Sequence, residues 1–299
     1  ADMERAFRVI AEHGAIATVH AENEEQINEA VARLKAEGKT DCSHFLESKP
    51  ADSEPSAVRR LIELARRTGV RLLIRHVSSA EAVARLLRIA EAADAPVVIV
   101  HLTNREALDE VAFARARGQR VYVETCPHYL CFDETVYEKE HASDYIVNPP
   151  IRTAADRAGI WRVLSAGTKF TIGTDDCAFY LSQKRVSDKF YEIPGGMPGI
   201  ETRLVLVYEL GVRTGKISMR RLAEMTSYNP AQLYGLAGRK GQLTPGADAD
   251  IVVIDPTDER LIKTRNLHQK ADCTPYEGMV VRGWPRHVWL RGEPIIFGR

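Results

Sequence analysis

Five short β-branched runs, each closing on a polar residue and each followed by a stretch of helical periodicity, constrain this chain more than any other feature. The runs cover residues 15–20, 70–76, 95–101, 120–125 and 169–175. Between them Val83, Leu86, Leu87 and Ala90, and later Leu108, Val111 and Ala112, recur at the spacing of a helix with one buried face. Gly14, Gly69 and Gly118 stand between helix and strand, where a C-cap belongs. Strand and helix in alternation predict parallel pairing through right-handed crossovers, hence an α/β chain. The runs read as almost continuously apolar, the pattern of strands buried on both faces. No glycine-rich phosphate turn follows the first strand, which argues against an open nucleotide-binding sheet.

The polar residues that end these runs are His20, His76, His101, Glu124 and Asp175. In a barrel of parallel strands the C-terminal ends form the catalytic face. His, His and Asp on neighbouring strand ends are donors for a borderline divalent metal, zinc first among them, with a position left for water. Such a metal lowers the pKa of its water and polarises a carbonyl. The strand-end Asp can also accept the proton of the attacking water. That chemistry suits hydrolysis of amides or esters. The segments 74–83 (IRHVSSAEAV) and 99–108 (IVHLTNREAL) share one shape, with their histidines 25 residues apart, the size of a short βα unit.

Composition narrows the partners. Lys+Arg and Asp+Glu are both 41, a net charge of zero, which argues against phosphate-neutralising nucleic-acid binding and against a polybasic membrane surface. The longest clean apolar run, 95–100, is far too short to span a bilayer. Five scattered cysteines fit a reducing cytoplasm better than a disulfide framework. Cys126 and Cys131 have no second cysteine pair to complete a zinc ribbon. His13, His44, His141, His268 and His287 lack a ligand context and read as surface residues of helices or loops.

Residues 200–236 carry helical periodicity. After Gly238 the character changes: KGQLTPGADADIVVIDP has a turn at Pro245-Gly246 and a compact strand at 251–254. Residues 279–296 add two or three short strands, with turns at Gly283-Trp284-Pro285 and Arg291-Gly292-Glu293. The expected division is an α/β part over 1–236 and a small β part over 237–299. The chain opens in helical periodicity, with Met3, Phe7 and Ile10 on one face and no initiator Met, as expected of a piece of something longer.

The flanking residues carry a family resemblance. VHAEN (19–23), HVSSAEAV (76–83), ETCPHYL (124–130), VNPPIR (147–152), GTDDCAF (173–179) and IPGGMPGIETR (193–203) resemble the cyclic amidohydrolases, the hydantoinase, dihydropyrimidinase and allantoinase branch of the amidohydrolase superfamily. The segments 240–256 and TPYEGM (274–279) look like that family's return to its β-sandwich and its C-terminal segment. The resemblance implies a (β/α)8 barrel with two metals bridged by a carboxylated lysine, of which this chain would hold strands five to eight, a possible extra βα unit, and part of the sandwich. It assigns His20 and Asp175 as metal ligands, with Asp175 also moving the proton. For the sixth-strand ligand His101 is preferred slightly, because its register with the following strands is uninterrupted, and His76 stays a near-equal candidate. Asn148, Gly195 and Gly196 match segments that line the substrate pocket, and His128 reads as pocket-lining or structural.

Departures from the pattern are as specific. No H-x-H occurs and no Lys precedes His20. Asp176 stands where the family usually has His. These imply a chain that starts just before the fifth strand, holds one metal at most, and is a poor catalyst by itself. The expected function is metal-dependent opening of a cyclic amide (a hydantoin, dihydropyrimidine or related ureide ring) in the cytoplasm, with homo-oligomerisation by family analogy. A non-catalytic scaffold related to dihydropyrimidinase is the alternative.

Overall fold

The computed structural model describes residues 2–167 and 169–296, with the backbone alone for Arg71. Five parallel strands alternate with helices, and all five β-branched runs contain one. They are β1 (Ile16–His20), β2 (Arg71–Arg75), β3 (Val97–Ile99), β4 (Val121–Thr125) and β5 (Phe170–Ile172). The helices are α1 (Asp2–Glu12), α2 (Glu24–Ala36), α3 (Ser53–Thr68), α4 (Ala80–Ala92), α5 (Arg105–Ala116), a short α6 (Pro127–Cys131) and α7 (Ala154–Ala166). Asn23, Ser79, Asn104 and Thr153 cap α2, α4, α5 and α7, each accepting a backbone N–H of the first turn. Gly14, Gly69 and Gly118 take positive φ at the helix-to-strand turns.

The parallel array is split. β1 pairs with β2, and β3 pairs with β4 and β4 with β5, in two separate ladders. The break between β2 and β3 falls between the two copies of the repeated segment. α1, α3, α4, α5 and α7 pack in succession as one layer against the strands. Apolar residues from both layers, including Phe7, Val58, Leu61, Val83, Leu87, Leu108, Val111, Val121, Val123, Leu164 and Phe170, make one core. The expectation of strands buried on both faces holds for β5 and fails for β1, β2 and β3. Ile16 and Leu73 are about half exposed, and Val98 is 40% exposed. Among the described residues nothing covers that second face, so a continuous apolar run does not by itself mean two buried faces.

Beyond α8 (Leu181–Lys184), residues 203–233 are helical as expected: α9 (Arg203–Val207), α10 (Met219–Ala223) and α11 (Asn229–Leu233), with π-helical turns at Tyr208–Arg213 and Glu224–Tyr228. A three-stranded antiparallel sheet follows, of β6 (Ile251–Leu261), β7 (Val280–Leu290) and β8 (Glu293–Ile296). Two readings are corrected here. β6 runs on past residue 254, and Gly283-Trp284-Pro285 lies inside β7, not in a turn. Register shifts between Val253 and Ile254, and between Asp255 and Glu259, absorb the proline as strand irregularities. The turns at Pro245-Gly246 and Arg291-Gly292 are present. His287 therefore belongs to a strand and is partly buried, not a loop surface residue. A second core of Val205, Leu206, Ile262, Tyr276 and Val281 joins this sheet to α9.

Candidate active site

The strand-end residues gather at one end of the parallel strands. His20 is the last residue of β1, and His76 and His101 follow β2 and β3 directly or by one residue. His76, His101 and Asp175 all take positive φ, at 62°, 39° and 48°. A left-handed backbone costs a non-glycine residue roughly 1–2 kcal/mol. Three such residues at three strand ends mark a place where position matters more than local stability.

The three imidazoles form a row. The His20 and His76 rings lie 4.4 Å apart and tilted by 38°, and the His76 and His101 rings stack at 4.9 Å and 16°. Burial, then the charge of neighbouring His101 and His20, pulls His76 down to about 4, and burial pulls His101 to about 4. Both are neutral at neutral pH. Among the described residues neither ring nitrogen of His101 has a hydrogen-bond partner, nor has Nδ1 of His76. Neutral, unpartnered imidazoles are what a ligand or a proton acceptor requires.

His20 is differently engaged. Its Nε2 lies 2.6 Å from Oε2 of Glu22, which also takes hydrogen bonds at 2.9 and 3.1 Å from the Lys49 ammonium. Burial would raise the Glu22 carboxyl, yet the bonds from His20 and Lys49 outweigh it and hold the group at about 2. On the other side, burial and the nearby Asp175 raise Glu124, while burial, opposed by Arg75, raises Asp175. Asp176 points its carboxylate elsewhere and accepts from the Gly199 N–H at 2.7 Å.

Free imidazole nitrogens are present, but among the described residues no three His, Cys, Asp or Glu side chains converge closely enough to hold a metal. As they stand, His20, His76, His101 and Asp175 do not make a metal centre.

A cavity of ≈ 360 Å³ opens beside His76, walled by Glu22, Lys49, Glu54, Asn148 and Arg152. Glu54 is buried and accepts from Ser78 N, Ser78 Oγ and Ser79 N at 2.6–2.7 Å. Three buried polar atoms of the wall have no partner among the described residues: His76 Nδ1, Asn148 Oδ1 and Arg152 Nε. Gly195 approaches the Asn148 amide so closely that a Cβ there would lie 2.8 Å from Nδ2. The expected pocket residues Asn148, Gly195 and Gly196 thus stand together. Glu22 and Arg152 sit within quoted motifs, 19–23 and 147–152, whereas Lys49 and Glu54 come from distant segments and carry no sequence signal. His128 is fully buried on α6, with its Nε2 unpartnered.

The model of the amidohydrolase family matches residues 1–295, and the chain belongs to that family. It is 38% identical over 294 residues to a D-phenylhydantoinase of Escherichia coli O1:K1, covering 97% of this chain and 58% of that enzyme. It matches the crystal structure of dihydropyrimidinase from Brevibacillus agri at 33% identity and a TM-score of 0.80, covering 99% of this chain and 59% of that one. The L-hydantoinase of Arthrobacter aurescens matches at 27% and 0.76, over 100% and 61%. The chain therefore spans about three-fifths of the length of these relatives.

Proposed function

We propose that the protein to which this chain belongs hydrolyses a cyclic amide, a hydantoin, dihydropyrimidine or related ureide ring. The observation that carries this reading is the likeness to hydantoinases and dihydropyrimidinases along nearly the whole chain. The cavity wall supports it. Asn148 Oδ1 wants a donor and Arg152 Nε wants an acceptor, and an amide edge offers both. In the reaction water adds to the ring carbonyl, the C–N bond breaks, and the leaving nitrogen takes a proton. Asn148 and the backbone of Gly195 and Gly196 orient the ring. Asp175, its carboxyl raised by burial, takes the proton from the water and passes it to the nitrogen. Lys49, the other cation of the wall, is paired with Glu22.

The metal reading assigns His20, Asp175 and either His101 or His76 as ligands of one divalent ion, zinc by donor type. Among the described residues these donors do not converge. The five parallel strands are read as part of a (β/α)8 barrel wall within 1–236, and the antiparallel sheet within 237–299 as part of a β-sandwich. We place the protein in the cytoplasm; its five cysteines are free, and no helix among the described residues is long and apolar enough to cross a membrane.

The test is ring opening by the full-length gene product, with hydantoin, dihydrouracil and allantoin offered in turn and the ureido acid quantified. At least one ring is expected to open, and Asp175→Asn to slow that reaction by roughly 100-fold or more, the scale of a lost general base. A well-folded full-length protein that opens none would remove this reading in favour of a scaffold.

A further inference from the structure

Lys184 is a lysine almost wholly removed from water, at 2% exposure, with no carboxylate within ion-pair distance among the described residues. A buried ammonium is costly unless its hydrogens are used. Here they are used on backbone. Nζ donates to the Ile146 carbonyl at 2.9 Å and to the Pro194 carbonyl at 2.8 Å. Those carbonyls belong to two separate segments, the one leading into Asn148 and the one leading into Gly195-Gly196. Ile146 O also accepts the Gly196 N–H at 2.9 Å, so three bonds close one knot.

The knot has little slack. A Cβ on Gly195 would meet Asn148 Nδ2 at 2.8 Å, and one on Gly196 would meet the Cys177 carbonyl oxygen at 2.5 Å. The lysine is itself held. Arg185 next to it grips Asp144 with two bonds, at 3.1 and 2.7 Å, and the Leu181 N–H at the start of α8 donates to Asp272 at 2.7 Å. The same first segment is tied again further on, where Tyr129 Oη donates to the Pro149 carbonyl at 2.7 Å. Burial lowers the Lys184 ammonium to about 8, opposed in part by the charge of nearby Asp144.

We propose that Lys184 is a positioning residue for the ligand-binding loops: by fixing the Ile146 and Pro194 carbonyls about one nitrogen it sets the gap between the Asn148 amide and the Gly195–Gly196 backbone. The proposal rests on the reading of those two loops as ligand-lining. It makes α8, which touches no ligand in that reading, the element that spaces the pocket.

The experiment compares Lys184→Met, Lys184→Arg and Asn148→Ala in the full-length protein, following ring-opening kinetics and deuterium uptake of the 194–197 segment. Lys184→Met is expected to raise KM about tenfold or more with kcat within about threefold, the pattern of lost ground-state binding. It is expected to speed exchange at Gly196 by at least about tenfold, with the rest of the chain unchanged. A guanidinium is bulkier than an ammonium and holds its donors in a planar fork, so it does not reproduce the two bonds that one tetrahedral nitrogen makes here. Lys184→Arg should therefore raise KM about three- to tenfold while keeping the charge, and this variant decides the matter if the Met variant does not fold. Asn148→Ala tests the loops themselves. If it raises KM while both Lys184 variants leave KM and Gly196 exchange unchanged, the loops bind ligand and the clamp is wrong. If Asn148→Ala leaves KM unchanged, the ligand-lining reading fails and takes the proposal with it.

Discussion

At the scale of single residues, polar groups placed under the helix layer decide most of what can be tested. Glu54 is 8% exposed and answers three donors at the start of α4. Glu54→Ala strands those donors and removes a charge from a helix N-terminus, so a loss of about 3 kcal/mol is expected in chemical unfolding. A cost under about 0.5 kcal/mol would show that water replaces the carboxylate at no penalty. His128 gives the pH dependence. Burial, then His101, lowers it to about 3, against 6.5 when unfolded. The unfolded chain binds this proton first, so the contribution is full above pH 6.5 and falls away as the pH drops toward 3. His128→Phe should flatten the stability profile of the chain by about 1.4 kcal/mol per pH unit between pH 6 and 4. Parallel profiles for the two proteins would contradict the buried neutral state. At this scale the sequence was legible where a polar side chain interrupts an apolar run, as at His20, His76 and His101. It was silent on Lys49, because a cavity wall is assembled by loops whose meeting no periodicity records.

Among the elements, the five parallel strands were visible from sequence because β-branched runs bounded by helix caps have few other uses. The 3-10 turns at Cys42–His44 and Glu134–Glu138 were not, since they are held by tertiary neighbours such as the edge-on Phe45 and Tyr137 rings. Gly283-Trp284-Pro285 has turn composition yet lies within β7, where a partner strand overrides local preference. Its glycine shows why: φ is +84°, and a Cβ there would overlap the Tyr208 ring. The neighbouring Arg282 N–H donates to Glu209 at 2.9 Å. Gly283→Ala combines backbone strain with a steric clash and should cost roughly 2–4 kcal/mol, loosening β7 from the segment after α9. Hydrogen exchange in 280–284 that stays as slow as in the parent would refute that docking role.

Across the whole molecule, the open face of β1, β2 and β3 is the feature that periodicity could not reveal, because it concerns what lies opposite and not what lies within a strand. Ile16, Leu73 and Val98 present apolar side chains there, and strand edges invite pairing. The 299-residue chain alone should associate reversibly with rising concentration in sedimentation experiments, and Ile16→Lys with Leu73→Lys should suppress it. A monomer at all concentrations would show that these residues are ordinary scattered surface apolars.

The histidine row has a meaning for how such a chain changes over generations. The segment around His76 and the one around His101 each carry a strand, a left-handed strand-end residue, a capping residue and a helix. A unit so self-sufficient can be copied whole, and the copy arrives with its reactive group already facing the same way. Novelty then begins as redundancy: one imidazole can keep an inherited task while its stacked twin is free to acquire another.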